Sequence, residues 1–320
     1  MQRFTSIAAL TALLLTAAAC GDDASSSATT APDTTVASDT TVVDSTAVET
    51  TIADSTLPAD APTAIVSLSP TATEMLFAIG AADQVIAVDD QSNYPVEALD
   101  KPHDLSGFEP NVEAIAALQP DLVIMQDPTV QTQLEALGIT VWIGAAPASF
   151  DDVYTQIEQL GAATGHVGGA AELVGNMKTD IDAAIAAAPK PDTGSTVGVY
   201  HELDNTLYSV TSNTFIGQVY ALFGLTNIAD GAQPGNDYPQ LNAEYIVQQN
   251  PALIFLADTK CCGESPETVA ARPGWDAIDA VKNGGVVAID DDIASRWGPR
   301  LVDFVQAVSD AMAANIPAKA

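Results

Sequence analysis

One stretch of this chain is said twice. Residues 111–124 read NVEAIAALQPDLVI, and residues 242–255 read NAEYIVQQNPALIF. The copies share Asn at the first position, Glu at the third, Ile at the fifth, Pro at the tenth and Leu at the twelfth. Each reads as a short helix opened by an Asn cap, with Glu in the first turn, where the backbone dipole favours a carboxylate. Proline then ends the helix, and an apolar run too short for another helix follows as a buried strand. An upstream pair repeats in the same order: Ser69-Pro70-Thr71 leads through an apolar helix to Gly80, and Ser212-Asn213-Thr214 leads through another to Gly224. Such a duplication predicts two similar α/β lobes with a cleft between them. The length of 320 residues suits about two domains.

The chain ahead of the first lobe differs in kind. Arg3 supplies a positive start, and residues 7–15 form an apolar run too short to span a bilayer. Ala17-Ala18-Ala19-Cys20-Gly21 looks like a lipobox, with Ala17 where Leu is preferred, so residues 1–20 read as a signal peptide and Cys20 as the lipidated residue. Residues 21–62 are almost wholly Ser, Thr, Ala, Asp, Val and Pro, without an aromatic, Lys or Arg. They bury too little apolar surface to offset their ordering entropy and are expected to be a disordered tether holding the body off a membrane. A formal net charge of −32 excludes a nucleic-acid partner, whose phosphates would be repelled.

Within the body, residues 64–69 and 84–88 read as strands, and Thr71-Ala72-Thr73-Glu74 has the spacing of a capping box, which makes Glu74 a structural cap. The loop 89–95 leaves the second strand, where open α/β sheets present loops to a ligand crevice. Residues 150–163 read as a helix. Residues 167–188 carry apolar side chains at Ala170, Leu173, Val174, Met177, Ile181 and Ile185, one stripe along a helix of about six turns. Lying between the repeats, that helix predicts a stiff spine and restricted lobe motion. The expected divisions are an N-terminal lobe at 63–165, a linking helix at 166–193 and a C-terminal lobe at 194–320.

The segment IVSLSPTATEMLFAIG (residues 65–80), the SNYP loop, NVEAIAALQPDLVI and GPRLVDF together resemble one family. It is the class III periplasmic binding proteins, substrate-binding lipoproteins that feed ABC importers of iron–siderophore complexes and vitamin B12. The resemblance runs from about residue 64 to 313. It implies two Rossmann-like lobes joined by a single long backbone helix, with the ligand cleft between them. It also implies a non-enzymatic receptor: a monomer held to the membrane only by its lipid anchor, without a cofactor of its own, that passes a chelate of iron or cobalt to a permease dimer and its cytoplasmic ATPase. In the vitamin B12-binding members one Glu per lobe docks on arginines of the permease, and the matching positions are Glu113 and Glu244. Both also suit a bland role as first-turn acids.

Ligand contacts are expected from strand-end loops, at Gln91, Tyr94, Phe108, Gln126, Tyr200, His201, Tyr238, Arg296 and Trp297, since aromatics suit a bulky, partly apolar ligand. Corrinoid-binding members tend to carry Trp around the positions of Phe108 and Gln126, and this chain has none there. Arg296, one of only ten Lys and Arg, would suit an anionic ferric siderophore. An iron–siderophore is therefore the first expectation and a corrinoid the alternative. Arg300, opening a helix after Gly-Pro, reads as an ion-pair anchor. Cys261-Cys262 is open to three readings: a strained vicinal disulfide, free thiols or a soft-metal site. No metal site is expected from spacing, although His103 with His201 and Glu202 could supply part of a zinc or manganese set. The chain carries no GxSxG, SxxK or Walker sequence, so an exported enzyme would lack a visible nucleophile or phosphate loop.

Overall fold

A computed structural model describes residues 57–191 and 196–316. Cys20, the signal peptide and the tether up to residue 56 lie outside the described residues. The first lobe runs β1 (Ile65–Leu68), α1 (Pro70–Ala78), β2 (Val85–Val88), α2 (Val112–Ala117), β3 (Leu122–Met125), α3 (Gln131–Ala136), β4 (Thr140–Ile143) and α4 (Phe150–Thr164). Helix α5 (Val167–Ala187) follows. The second lobe runs β5 (Gly198–Glu202), α6 (Phe215–Leu222), β6 (Thr226–Asn227), α7 (Ala243–Gln249), β7 (Leu253–Leu256), α8 (Pro266–Ala270), α9 (Asp279–Asn283), β8 (Val286–Ala288), α10 (Asp291–Ser295) and α11 (Leu301–Asn315). Both sheets are parallel and share one order, β2-β1-β3-β4 and β6-β5-β7-β8.

The duplicated stretch behaves as its chemistry dictates. Asn111 Oδ1 accepts from the Ala114 amide at 3.0 Å and Asn242 Oδ1 from the Tyr245 amide at 2.8 Å, so both α2 and α7 are capped by asparagine. The strands that follow, β3 and β7, occupy the same inner place in their sheets and are buried throughout. One expectation needs correcting. Helix α1 is capped by Ser69, whose hydroxyl accepts from the Ala72 amide, and starts at Pro70. Proline fits the first helical position because the N–H it lacks has no partner there anyway. Glu74 thus sits inside the helix and is free to pair elsewhere.

The stripe on α5 is buried at Ala170, Val174, Met177, Ile181 and Ala184, with Leu173 and Ile185 packed at its margin. It joins a single apolar core that passes from Ile65 and Leu122 of the first sheet, through Ile157 of α4 and Phe304 and Val308 of α11, to Val199 and Phe255 of the second. Ser309 of α11 donates to the carbonyl of Ala184 at 2.7 Å. Bending the lobes apart would open this shared core to water, which opposes wide hinging. Gly169 of α5 abuts the carbonyl of Ile79, a contact that leaves no room for a Cβ.

Candidate functional site

The loops leaving the carboxyl ends of β1, β2 and β3 face the segment that follows α10, and a cleft lies between them. Its larger cavity, about 340 Å3, is lined from the first lobe by Asp89, Gln91, Gly107, Phe108, Gln126 and Asp127 and from the second by Asp292, Ser295, Arg296 and Trp297. A smaller one, about 170 Å3, is apolar, with Pro147, Phe215, Ile216, Tyr238, Leu301 and Phe304 on its walls. Ser295, Arg296 and Trp297 belong to both, so this segment partitions the cleft. Phe108 is 85% exposed and Tyr238 55%, an arrangement that leaves two aromatic faces bare at the cleft. Trp297 reaches across it: its indole N–H donates to Gln156 of α4 at 3.3 Å, and the Gln156 amide donates in turn to the carbonyl of Ala145 at 2.7 Å.

Six of the nine sequence-predicted contacts, Gln91, Phe108, Gln126, Tyr238, Arg296 and Trp297, meet here. Three do not. Tyr94 lies under the guanidinium of Arg300, 4.3 Å from the ring centroid, and lines a different depression with Phe77, Pro299 and Asp303. Tyr200 and His201 are fully buried, because β5 is an inner strand covered on both faces and continues through both residues to Glu202. Tyr200 packs edge-on to Trp275, and His201 Nδ1 lies 2.6 Å from the hydroxyl of Tyr220. Burial pulls the His201 pKa down to about 3, which keeps the ring neutral. His201 and Glu202 therefore cannot join His103, which is exposed and bonded to its own turn at Lys101, in a metal set.

Arg296 is placed on the cleft wall, but both of its terminal nitrogens are already engaged. One terminal nitrogen donates to Glu74 at 3.0 Å and Asn93 at 2.9 Å, the other to Asp292 at 2.7 Å and the carbonyl of Gln91 at 3.0 Å. Its side chain is 8% exposed. Glu74 also receives Arg300, from Nε at 3.0 Å and from Nη2 at 2.5 Å, so Arg300 is the ion-pair anchor expected of it. Two arginines of the second lobe thus grip one buried glutamate of the first. Asn93 closes the ring by donating to Asp292 at 3.0 Å.

Sequence reasoning missed the acids of the cleft. Asp89, at the end of β2, is buried; burial raises its pKa and the hydroxyl of Ser92 opposes the rise. The chain folds over it at Gly107, where a Cβ would stand 2.7 Å from the Asp89 carboxylate and 2.8 Å from the carbonyl of Leu68. At the rim, Lys260 bridges Asp290 and Asp292 at 2.6 and 2.8 Å, while Asp291 accepts from the amides of Lys260 and Cys261. The three readings of the vicinal pair resolve to a disulfide between Cys261 and Cys262. Glu113 and Glu244 stand exposed on the first turns of α2 and α7, and among the described residues neither takes part in an ion pair.

Comparison with known proteins points one way. The profile of a family described as periplasmic binding protein matches residues 65–293. An uncharacterized ABC transporter substrate-binding lipoprotein of Bacillus subtilis, YvrC, is 32% identical over 259 residues, 78% of this chain and 80% of that one. A cobalamin-binding protein of Halobacterium salinarum is 30% identical over 258 residues, 78% of this chain and 69% of that one. Among solved structures, the vitamin B12-binding protein BtuF of Vibrio cholerae superposes with a TM-score of 0.65 at 25% identity, over 79% of this chain and 97% of that one.

Proposed function

The chain belongs to the periplasmic binding protein family, and from that premise we propose that it captures a metal chelate outside the cytoplasm and delivers it to an ABC permease. The observation that carries this reading is the divided cleft. Trp297, Phe108 and Tyr238 offer flat apolar faces, and Gln91 and Gln126 offer the few polar groups that orient a ligand. The ligand contains chelated iron or cobalt, as a ferric siderophore or a corrinoid. Binding and docking are the whole mechanism, with no covalent step. Glu113 and Glu244 present one free carboxylate per lobe, related by the internal repeat, to a two-fold permease whose ATPase supplies the energy. Cys20 carries the lipid anchor. Among the described residues no helix is long and apolar enough to cross a membrane.

The test is a ligand panel read by tryptophan fluorescence and thermal shift. A ferric siderophore or a corrinoid should quench Trp297 and raise the melting temperature, since a ligand present at 100 times its Kd stabilises the native state by about 2.7 kcal/mol. Silence towards both, with a response to free zinc or manganese, would overturn the chelate reading. With a chelate found, Glu113→Ala and Glu244→Ala should leave its binding intact and abolish transport into membranes carrying the permease.

A further inference from the structure

We infer that the cleft is selective by charge, taking electroneutral or cationic chelates and rejecting anionic ones. The inference deepens the reading above and rests on it. The larger cavity has three carboxylates on its wall, Asp89, Asp127 and Asp292, against a single cation, Arg296. The terminal fork of that cation is not available to a ligand. All four of its terminal N–H groups are directed at acceptors of the protein, two of which, Glu74 and Asp292, are carboxylates that cancel its charge. Asp127 is exposed, and the described bonds to its carboxylate, from the amide and hydroxyl of Thr129, reach one oxygen only. The other oxygen can accept from a donor on the ligand. A further cation at the rim, Lys260, is held between Asp290 and Asp292.

An anionic chelate entering this space meets the exposed carboxylate of Asp127 and that of buried Asp89, neither of which takes part in an ion pair among the described residues, and the chain's net charge of −32 adds a repulsive field on its approach. A ligand bearing amide or ammonium donors meets acceptors instead. Bidentate recognition by arginine, the usual device for carboxylate-rich ligands, is closed off because both terminal nitrogens of Arg296 are spent on contacts within the protein.

The experiment pairs charge variants on one metal. A cationic ferric tris-hydroxamate and a trianionic ferric tris-catecholate are titrated into the full chain at low salt, with neutral cyanocobalamin and cationic aquacobalamin as the cobalt pair. The cationic and neutral probes should bind about 100-fold more tightly than the trianion. Raising the salt should narrow the gap, and Asp127→Asn, a change at an exposed position, should narrow it about 3- to 10-fold. Circular dichroism and the melting temperature verify that the variant is folded. Equal affinity for the catecholate and the hydroxamate at low salt would overturn the inference. So would a gap unmoved by both salt and Asp127→Asn, because shape would then be doing the discriminating. Silence of every probe whatever its charge is a different failure: it removes the chelate reading itself, and this inference with it.

Discussion

The two lobes share a backbone frame and fill it with opposite chemistry. Strand pairing aligns them: Ile65 faces Leu122 in the first sheet as Val199 faces Leu253 in the second, and both leucines hold the twelfth position of the repeat. Val66, Ser67 and Leu68 therefore correspond to Tyr200, His201 and Glu202. In the first lobe, Val66 and Leu68 pack into an aliphatic layer with Ile115, Val123 and Leu134. In the second, Tyr200 lies against Trp275, and Glu202, fully buried, takes both terminal nitrogens of Arg272, whose guanidinium stacks 4.5 Å over the Trp275 ring. Duplication preserves what backbone hydrogen bonding and apolar burial require. It does not preserve how each buried polar group is satisfied, and so the second lobe depends on individual partners where the first depends on packing.

The largest expected effect tests that dependence. Arg272→Met strands Glu202 without its counter-ion and should cost about 3–5 kcal/mol in urea unfolding. Combining it with Glu202→Leu recreates the residue of the first lobe, Leu68, and should recover most of the loss, since an apolar pair of fitting volume replaces a buried ion pair at little cost. A double variant as unstable as the single one would show that the two layers are not interchangeable.

The clamp between the lobes comes next. Glu74→Gln removes the charge that Arg296 and Arg300 share. We expect a loss of about 2–3 kcal/mol, below the first effect because Arg296 keeps Asp292 and Arg300 keeps the face of Tyr94. Amide exchange in residues 89–95 should accelerate while exchange in β7 stays slow. Equal acceleration in both would mean the glutamate supports the whole body rather than the junction.

How much of this was legible follows from range. The Asn caps, the terminating prolines and the stripe on α5 were readable because cap, helix and stripe are made within a few residues. The cleft was readable from the repeat. Glu74 was misread as a cap because Ser69-Pro70 offers a better start two residues sooner, and the pairing of Arg296 with Glu74 was not foreseen because the two lie 222 residues apart in the sequence. Tyr200 and His201 were expected at the ligand because aromatic and polar side chains at a strand end suit one, whereas β5 continues through both and buries them. The signal that could have found them was the repeat itself, which sets them level with Val66 and Ser67.

A pH experiment bears on one of the two acids that the repeat makes equivalent, Asp127 and Asp258. Asp127 is exposed at the cleft; Asp258 is fully buried, and neither of its carboxylate oxygens has a donor. Burial, with Glu202 beside it, pushes the Asp258 pKa up to about 7. The folded state then keeps a proton that the unfolded chain gives up near its ordinary value of 3.8. Stability from this group is full below that value and is lost as pH rises towards 7. His201 acts in the other direction between about 3 and 6.5, so its contribution is flat above 6.5. Asp258→Asn should therefore be more stable than the parent at pH 8 and about as stable as the parent at pH 4.

The smallest effect belongs to the most conspicuous local difference. The first lobe passes from β3 into α3 through residues 126–130, whereas the second passes from β7 into α8 through residues 257–265, which include the disulfide. Cross-links stabilise chiefly by restricting the unfolded chain, and one between adjacent residues closes almost no loop. What holds the longer connection is Asp291, which accepts from the hydroxyl of Thr259 at 2.8 Å and from the amides of Lys260 and Cys261. Burial would raise the pKa of its carboxyl, but these donors outweigh it and hold it below the ordinary value. Replacing both cysteines by serine should thus change unfolding free energy by less than about 1 kcal/mol. Asp291→Ala should cost about 1–2 kcal/mol. If the order is reversed, the covalent link and not the carboxylate shapes the rim that the second lobe alone contributes.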